Sequence, residues 1–251
     1  MKRHTNVGYV DDSKYKDFPN FISSSGGFCN IMTCKINFDR KPTFSAIGKF
    51  LKPEVPVRWL IREMYILKRL KHQNIICYVG HTYHKFYGYG LFVEYMDCGD
   101  LHNIIADPTI KYTWDQLGSW SGQLLLALEY LECRGIVHSD LNTKNILLKN
   151  SMKIIKVADF GSARNTNERM ITENMFHYCN PSIFTGEPLT SKSDIFAFGM
   201  ILWWMVYRRD PFYGFDTLEC NYLLVGGVRP RTEENQGLAQ IFAGKTTLNI
   251  G

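Results

Sequence analysis

Two short runs of the sequence, thirteen residues apart, carry side chains that suit phosphoryl transfer. The runs are His138-Ser-Asp-Leu-Asn-Thr-Lys-Asn145 and Asp159-Phe-Gly161. Metal-assisted phosphoryl transfer requires carboxylate and amide oxygens placed on sharp loops. Asp140 would accept the proton from an attacking hydroxyl, while Asn145 and Asp159 would hold Mg²⁺ on the nucleotide. Because each fixed residue has about a one-in-twenty chance of occurring, these matches rarely coincide.

A strand followed by a helix is predicted to position a second reactive pair. The pattern favours a strand over 45–51 and a helix over about 57–70. A stripe of apolar side chains runs along this helix and consists of Leu60, Met64 and Leu67. Glu63 falls inside the stripe, where a carboxylate is unfavourable unless it meets a cation, and Lys49 is the natural candidate. The alternative is a partly exposed glutamate at the edge of the stripe.

Helical signals dominate the second half of the chain. Thr113 begins a Thr-Trp-Asp-Gln capping box, and the helix that follows it ends near Arg134-Gly135. A short strand over 135–137 then leads into the first reactive run. A later helix begins at Ser191 and is apolar on all sides, which is typical of the interior of a domain.

The length of 251 residues fits one large domain or two small lobes. Residues 1–20 are polar and predict an irregular lead-in, strand-like signals run from Phe21 to about Met96, and helical signals follow. The bounds of the two lobes are about 14–96 and 97–251. We therefore expect an α+β fold, in which a small β-rich lobe precedes a larger helical lobe within a single domain over 1–251.

Composition argues against several other classes of protein. The net charge of +5 is mild and spread along the chain, which does not mark a nucleic-acid-binding protein. Seven cysteines without a C-x-x-C pair argue against a disulfide framework or a zinc site and favour a reducing compartment. No apolar signal segment is visible, and the longest apolar stretch, 195–206, is too short to span a bilayer. We expect a cytoplasmic protein that binds neither nucleic acid nor membranes.

These features resemble the protein kinase family over about residues 14 to 242. The motifs expected of that family are a Gly-rich loop, a strand lysine, a helix glutamate, H-R-D-x-x-x-x-N, D-F-G and A-P-E. The sequence is most similar to the mitogen-activated protein kinase kinase kinases, especially the transforming-growth-factor-β-activated type. This similarity lies in Glu94-Tyr-Met96, in 192–199 and in Ile201-Leu-Trp203. The resemblance implies a bilobal fold, ATP and Mg²⁺, and a protein substrate, which in such a cascade would be a MAP kinase kinase.

The resemblance also implies roles for individual residues. Lys49, held by Glu63, would bridge the α- and β-phosphates, and Lys144 would partly replace a missing catalytic-loop lysine beside Asp140. Ile47 stands where a small residue usually lies above adenine, so its bulk would narrow the pocket. The implied ATP-binding residues are Ser24, Gly26, Phe28, Ile31, Ile47, Lys49, Glu94, Met96 and Leu147, with Val93 as gatekeeper. Plain core packing would explain Ile31, Leu147 and Val93 equally well.

Several departures from the family pattern affect the nucleotide loop and the base. Ser24 and Cys29 replace two of the three glycines of the Gly-rich loop, and Ser139 replaces an arginine that pairs with an activation-segment phosphate. Asn142 replaces a lysine that steadies the γ-phosphate, and Met175 replaces the hydroxyl residue that bonds this lysine. The base, Asp140, is therefore expected to be less well oriented, which can lower a rate by roughly a hundredfold.

Two further departures affect the large lobe. Asn180-Pro-Ser182 stands where Ala-Pro-Glu is expected, and the last helices of the lobe are missing after Phe242, as in a truncated or frame-shifted chain. Two functions are therefore open. The first is an ATP-dependent serine/threonine kinase, and the alternative is a pseudokinase that acts as a binding module for a regulatory protein partner.

Overall fold

The computed structural model describes residues 9–10, 15–22, 29–37, 43–166 and 180–230, and of 15–22 it describes the backbone alone. The chain divides into two units. The first consists of Met1–Met96 together with Asp159–Ser162, and the second of Asp97–Ala158 and Ala163–Gly251. The first unit contains an antiparallel sheet and the second is mainly helical, so the predicted α+β composition is confirmed.

The sheet of the first unit has five antiparallel strands in the order β1-β2-β3-β5-β4. The strands are β1 (Tyr15–Ile22), β2 (Cys29–Ile36), β3 (Phe44–Leu51), β4 (Tyr78–His84) and β5 (Gly88–Glu94). Buried residues alternate with less buried ones along β2 and β3, as expected for strands with one face on a core. In the register of the sheet, Ile31 of β2 lies opposite Lys49 of β3, and Ile47 of β3 lies opposite Val93 of β5.

Phe50 lies at the centre of the apolar core on one face of this sheet. Its side chain is fully buried and packs edge to face against Phe92, with ring centroids 6.0 Å apart. The ring also lies directly over β5, since a Cβ atom added at Gly90 would be 2.6 Å from it. The sheet therefore accommodates the large ring because glycine leaves space on the neighbouring strand.

Among the described residues of the first unit, one helix, α1 (Arg58–Arg69), accompanies the sheet and confirms the predicted helix over 57–70. Leu60, Glu63 and Leu67 are buried on one face. Lys68 and Arg69 occupy the last turn, where positive charge stabilises the helix dipole. The burial of Glu63 among leucines is the feature that connects this helix to the candidate site.

The second unit is organised around a twenty-residue helix. Its elements are α2 (Leu101–Ala106), α3 (Trp114–Cys133), β6 (Ile136–Val137), β7 (Ile146–Lys149), β8 (Ile154–Val157), β9 (Arg164–Asn165), α4 (Ser191–Tyr207) and α5 (Thr217–Val225). The predicted capping box at Thr113 is present, and α3 ends at Arg134 as expected. The side chain of Gln123 on α3 accepts a hydrogen bond from the Ile155 N–H and donates one to the Lys153 carbonyl, both at 3.0 Å. These bonds fix the β7–β8 hairpin on α3.

Arg208 joins two helices that are far apart in sequence. It follows α4 in a left-handed conformation (φ +51°), and its guanidinium lies over the ring of Tyr112 at 4.7 Å. The same guanidinium donates to four backbone carbonyls at or after the end of α2, at 2.7 to 3.3 Å, those of Ile104, Ile105, Asp107 and Ile110. Arg208 therefore satisfies carbonyl groups that the short helix leaves without intrahelical partners.

No helix in the described ranges combines the length and the apolar character needed to cross a membrane. The prediction about the last helices of the large lobe concerns residues after 230, which lie outside the described residues.

Candidate active site

In the first unit, Lys49 and Glu63 form the predicted ion pair. The Lys49 Nζ donates to both oxygens of Glu63, at 2.7 and 2.8 Å, and the two side chains are only 13% and 4% exposed. Strand β3 places Lys49 and the buried face of α1 places Glu63, as the apolar stripe predicts. The sequence prediction that Glu63 pairs with Lys49 is confirmed, and the alternative of a glutamate at the exposed edge is wrong.

Asp159 brings a second carboxylate to Lys49. Its Oδ1 lies 3.0 Å from the Lys49 Nζ and also accepts a weaker hydrogen bond from the Gly161 N–H at 3.4 Å. The residue has φ +62°, a left-handed conformation that Asp adopts more readily than most residues. Burial alone lowers the pKa of Lys49, but the charges of Asp159 and Glu63 outweigh it and raise that pKa above its ordinary value. Lys49 is therefore fully protonated at neutral pH.

Cys29, which replaces a glycine of the expected Gly-rich loop, begins β2 close to these charges. Burial raises the pKa of its thiol to about 11, although the charge of Lys49 acts in the opposite direction. The side chain is therefore a neutral thiol and adds no negative charge beside Lys49. Ser24, Gly26 and Phe28, predicted for the same loop, lie outside the described residues.

In the second unit, Asp194 on α4 holds the backbone of the first reactive run. Its two carboxylate oxygens accept hydrogen bonds from the His138 N–H at 2.7 Å and from the Ser139 N–H at 3.0 Å. Ser139 has φ +68°, and the buried His138 ring contacts the Ala158 carbonyl at 2.9 Å through Nε2. Burial raises the pKa of Asp194, while His138 and the two N–H donors act in the opposite direction. The loop is thus fixed from a helix more than fifty residues further along the chain.

The sequence analysis did not assign this role to Asp194. A usable signal was present, since Asp194 is the one acidic residue of the helical segment 191–207 and leads directly into its apolar part. A buried carboxylate requires hydrogen-bond donors, and backbone N–H groups of a loop in an unusual conformation can supply them.

Two amide side chains donate hydrogen bonds to Asp140. Asn142 donates through Nδ2 to Oδ1 of Asp140 at 2.9 Å, and Asn145 donates through its own Nδ2 to Oδ2 at 3.1 Å. Both amides also donate to the Asp140 backbone carbonyl, at 3.1 and 2.8 Å. The Asp140 carboxylate therefore has hydrogen-bond partners without the usual lysine, and the expected loss of orientation relative to the family stays a prediction.

The candidate metal ligands offer oxygens that suit Mg²⁺, which prefers carboxylate and carbonyl oxygen ligands. Asn145 uses its amide nitrogen to bond Asp140, and its Oδ1 makes no hydrogen bond with any described residue. The side chain of Asp159 is 49% exposed. The donor chemistry of each residue therefore fits a Mg²⁺ ligand.

The residues predicted to bind ATP have different surroundings. Ile31 and Ile47 are half-buried on neighbouring strands of the first unit. Met96, which ends the stretch 1–96 of that unit, is buried. The side chain of Glu94 is also buried, and its Oε1 accepts the Cys77 N–H at 2.8 Å, so this carboxylate is engaged within its own unit. Leu147 is half-buried on β7 of the second unit.

Lys144 is exposed and makes no ion pair with any described carboxylate. Burial is the main cause of the lowered pKa of His102, and the positive charge of Lys144 contributes to it. Ser182 lies in a short 3₁₀ segment, Pro181–Thr185, where its N–H donates to the side chain of Asn180 at 3.1 Å. Met175 lies outside the described residues.

We predict that Asp194→Asn destabilises the protein. An asparagine can accept only one of the two N–H groups, and its NH₂ would face the other, so the free energy of unfolding should fall by about 1–3 kcal/mol. Urea denaturation measures the change. Asp115→Asn, on the exposed first turn of α3, is the matched control and should change stability by less than about 0.5 kcal/mol. Equal stability of both variants would contradict the role given to Asp194.

Comparison with known proteins identifies what this arrangement resembles. The sequence profile of the family described as "Protein kinase domain" matches residues 25–227. A mitogen-activated protein kinase kinase kinase, mom-4 of Caenorhabditis elegans, is 34% identical over 156 residues, which cover 61% of this chain and 29% of the relative. A mitogen-activated protein kinase kinase kinase 7-like protein of Drosophila melanogaster is 30% identical over 227 residues, 88% of this chain and 56% of the relative.

A third relative is the serine/threonine-protein kinase mos of Patiria pectinifera. It is 28% identical over 229 residues, which cover 85% of this chain and 64% of the relative. The chain thus spans between 29% and 64% of the lengths of these three relatives.

Proposed function

The chain belongs to the protein kinase family, and from this premise we propose that it is an ATP-dependent kinase that phosphorylates serine or threonine in a protein. Members of this family transfer a phosphoryl group from ATP with the help of Mg²⁺. The observation that carries the proposal is the Lys49 cluster, in which one buried lysine is held by Glu63 at 2.7 Å and by Asp159 at 3.0 Å. A buried lysine held between two carboxylates presents a fixed positive charge, which suits the binding of phosphate groups.

Each proposed catalytic residue contributes a separate element of the chemistry. Lys49 would bind the α- and β-phosphates, with Glu63 keeping its ammonium group in place. Asp140 would accept the proton of the substrate hydroxyl, since its carboxylate is already fixed by two amides. Asn145 and Asp159 would hold Mg²⁺, which when bound neutralises charge on the phosphates. Lys144 is exposed, and we propose that it contributes charge near the phosphate.

Apolar side chains are proposed to contact the nucleotide base. Ser24, Gly26 and Phe28 are proposed to cover the phosphates, while Ile31, Ile47 and Leu147 would contact adenine. The backbone of Glu94 and Met96 would bond the edge of the base.

Specificity for serine and threonine, and a place in a mitogen-activated kinase cascade, are the finer parts of the proposal. Two of the relatives named above are mitogen-activated protein kinase kinase kinases, which supports the place in the cascade. The third is a serine/threonine-protein kinase, which supports the specificity. The substrate would then be a MAP kinase kinase. Incubation with an inactive MAP kinase kinase, followed by mapping of phosphorylated residues, tests both parts, and phosphate found only on tyrosine would exclude them.

We predict that ATP together with Mg²⁺ stabilises the protein. At a ligand concentration of 100 times Kd, binding contributes about 2.7 kcal/mol, which should raise Tm by roughly 5–10 °C in a chain of this size. Differential scanning fluorimetry measures the shift. ATP without Mg²⁺ should give a smaller shift, and Lys49→Met with Mg²⁺ and ATP should give almost none.

The two function classes give different results in paired assays. A kinase shows both the thermal shift and transfer of radiolabelled phosphate, and the transfer is lost in Asp140→Asn. A thermal shift without Asp140-dependent transfer would instead favour the pseudokinase alternative. The absence of both would overturn the proposal that the chain binds ATP.

A further inference from the structure

We infer that Asn142 is a positioning residue that takes over the bracing of the base from the lysine usual at this place. The inference rests on the proposed kinase function. Relative to the family pattern, Asn142 marks only the loss of a lysine. Its side chain nevertheless makes direct contacts with Asp140.

Asn142 is bonded at both ends of its amide. Its Oδ1 accepts the Lys144 N–H at 2.9 Å and the Asn145 N–H at 3.2 Å, so the oxygen caps the short 3₁₀ turn Thr143–Asn145. Its Nδ2 donates to Oδ1 of Asp140 at 2.9 Å and to the backbone carbonyl of Asp140 at 3.1 Å. The turn thus fixes the amide, and the fixed amide holds the carboxylate.

Both carboxylate oxygens of Asp140 accept hydrogen bonds from amide side chains. Asn145 donates to the other carboxylate oxygen at 3.1 Å, so each oxygen of Asp140 faces one amide N–H from its own loop. Rotation of the carboxylate would break one of these bonds. Bonds between a neutral donor and a carboxylate are stronger than neutral pairs, which makes one orientation of Asp140 the preferred one.

An asparagine achieves this orientation without adding a charge. A lysine beside the base contributes a positive charge as well as a donor, whereas Asn142 contributes only donors. Asn142 and Lys144 therefore divide the two contributions, because Asn142 orients Asp140 and the exposed Lys144 is the cation of the loop. The described contacts of Asn142 with Asp140 and with the turn all lie within residues 140–145.

Three substitutions at Asn142 separate bracing from capping. Asn142→Ser keeps a short oxygen that can cap the turn but is too short to reach the Asp140 carboxylate. Asn142→Ala removes both contacts. Asn142→Asp keeps the cap and places a second carboxylate against Asp140, where like charges repel and tend to share a proton.

The experiment measures kcat, the KM for ATP and Tm of the full chain, with Asp140→Asn as the activity control. We expect Asn142→Ser to keep the wild-type Tm within about 2 °C and the KM for ATP within about twofold, while kcat falls about 10- to 100-fold. Asn142→Ala should lose kcat to the same extent and also lose about 2–4 °C in Tm. The kcat of Asn142→Asp should fall at least as far as that of Asn142→Ser, because the second carboxylate repels that of Asp140.

Three outcomes would overturn the inference. Wild-type kcat in Asn142→Ser would show that the bond to Asp140 does not orient the base. A loss of kcat that follows Tm across the three variants would show a structural role only. If wild type shows no phosphate transfer that depends on Asp140, the proposed function itself fails and the positioning role fails with it.

Discussion

Asp140→Asn is expected to lower the rate of phosphate transfer by about 10²- to 10⁴-fold, the range that a positioned general base contributes. The change replaces one carboxylate oxygen with an NH₂ group, which cannot accept a proton. It also sets that NH₂ against the amide donor of Asn142 or Asn145, which both point at Asp140. Transfer of radiolabelled phosphate from ATP to a protein substrate measures the rate.

Nucleotide binding should survive this change, because the Lys49 cluster belongs to the other unit of the chain. The thermal shift with Mg²⁺ and ATP should therefore stay close to that of wild type. Asp115→Asn serves again as the exposed control and should leave the rate unchanged. Label incorporation in Asp140→Asn above roughly a tenth of the wild-type level would contradict the assignment of Asp140 as base.

Lys49→Met is expected to have the largest effect on stability. The substitution leaves Glu63, which is 4% exposed, as a buried carboxylate without its cation. Removing one partner of a buried ion pair typically costs about 3–5 kcal/mol. Urea denaturation should show this loss, and phosphate transfer should be abolished as well.

The reverse change should be milder. Glu63→Met leaves Lys49 with Asp159 at 3.0 Å, so the lysine still has a carboxylate partner. In the double variant Lys49→Met, Glu63→Met, neither charge is buried, and stability should return to within about 1 kcal/mol of wild type while activity stays absent. A double variant as unstable as Lys49→Met alone would show that the pair is not the cause of the loss.

Sequence patterns correctly predicted the features that interactions between near neighbours decide, such as helix α1 and the start of α3. The helix around Glu63 follows from the spacing of its leucines, and the pairing with Lys49 follows because a carboxylate on an apolar face requires a cation. The start of α3 follows from a capping box whose two hydrogen bonds form within four residues. In each case the deciding interaction is short-range or has one available partner.

The remaining features depend on contacts that no local pattern shows. Asp194 bonds backbone groups 55 and 56 residues earlier, and these N–H groups are donors in every sequence, so nothing in the residue types indicates the pairing. Asn142 was judged by the lysine it replaces, although its own amide can bond a carboxylate two residues before it. The sequence shows that position 142 carries an amide, but it does not show that this amide is directed at the Asp140 carboxylate.

The anchoring of α2 by Arg208 has a consequence for the order of folding. A helix of six residues is far below the length of about 12–15 residues at which isolated helices become even marginally stable in water. The carbonyls of Ile104 and Ile105 in this helix accept hydrogen bonds from Arg208, 103 to 104 residues further along the chain, so closing this loop carries an entropic cost before any bond forms. We therefore predict that residues 101–106 become helical late in folding, so mutations in α2 should speed unfolding without slowing folding, which stopped-flow refolding and unfolding rates measure.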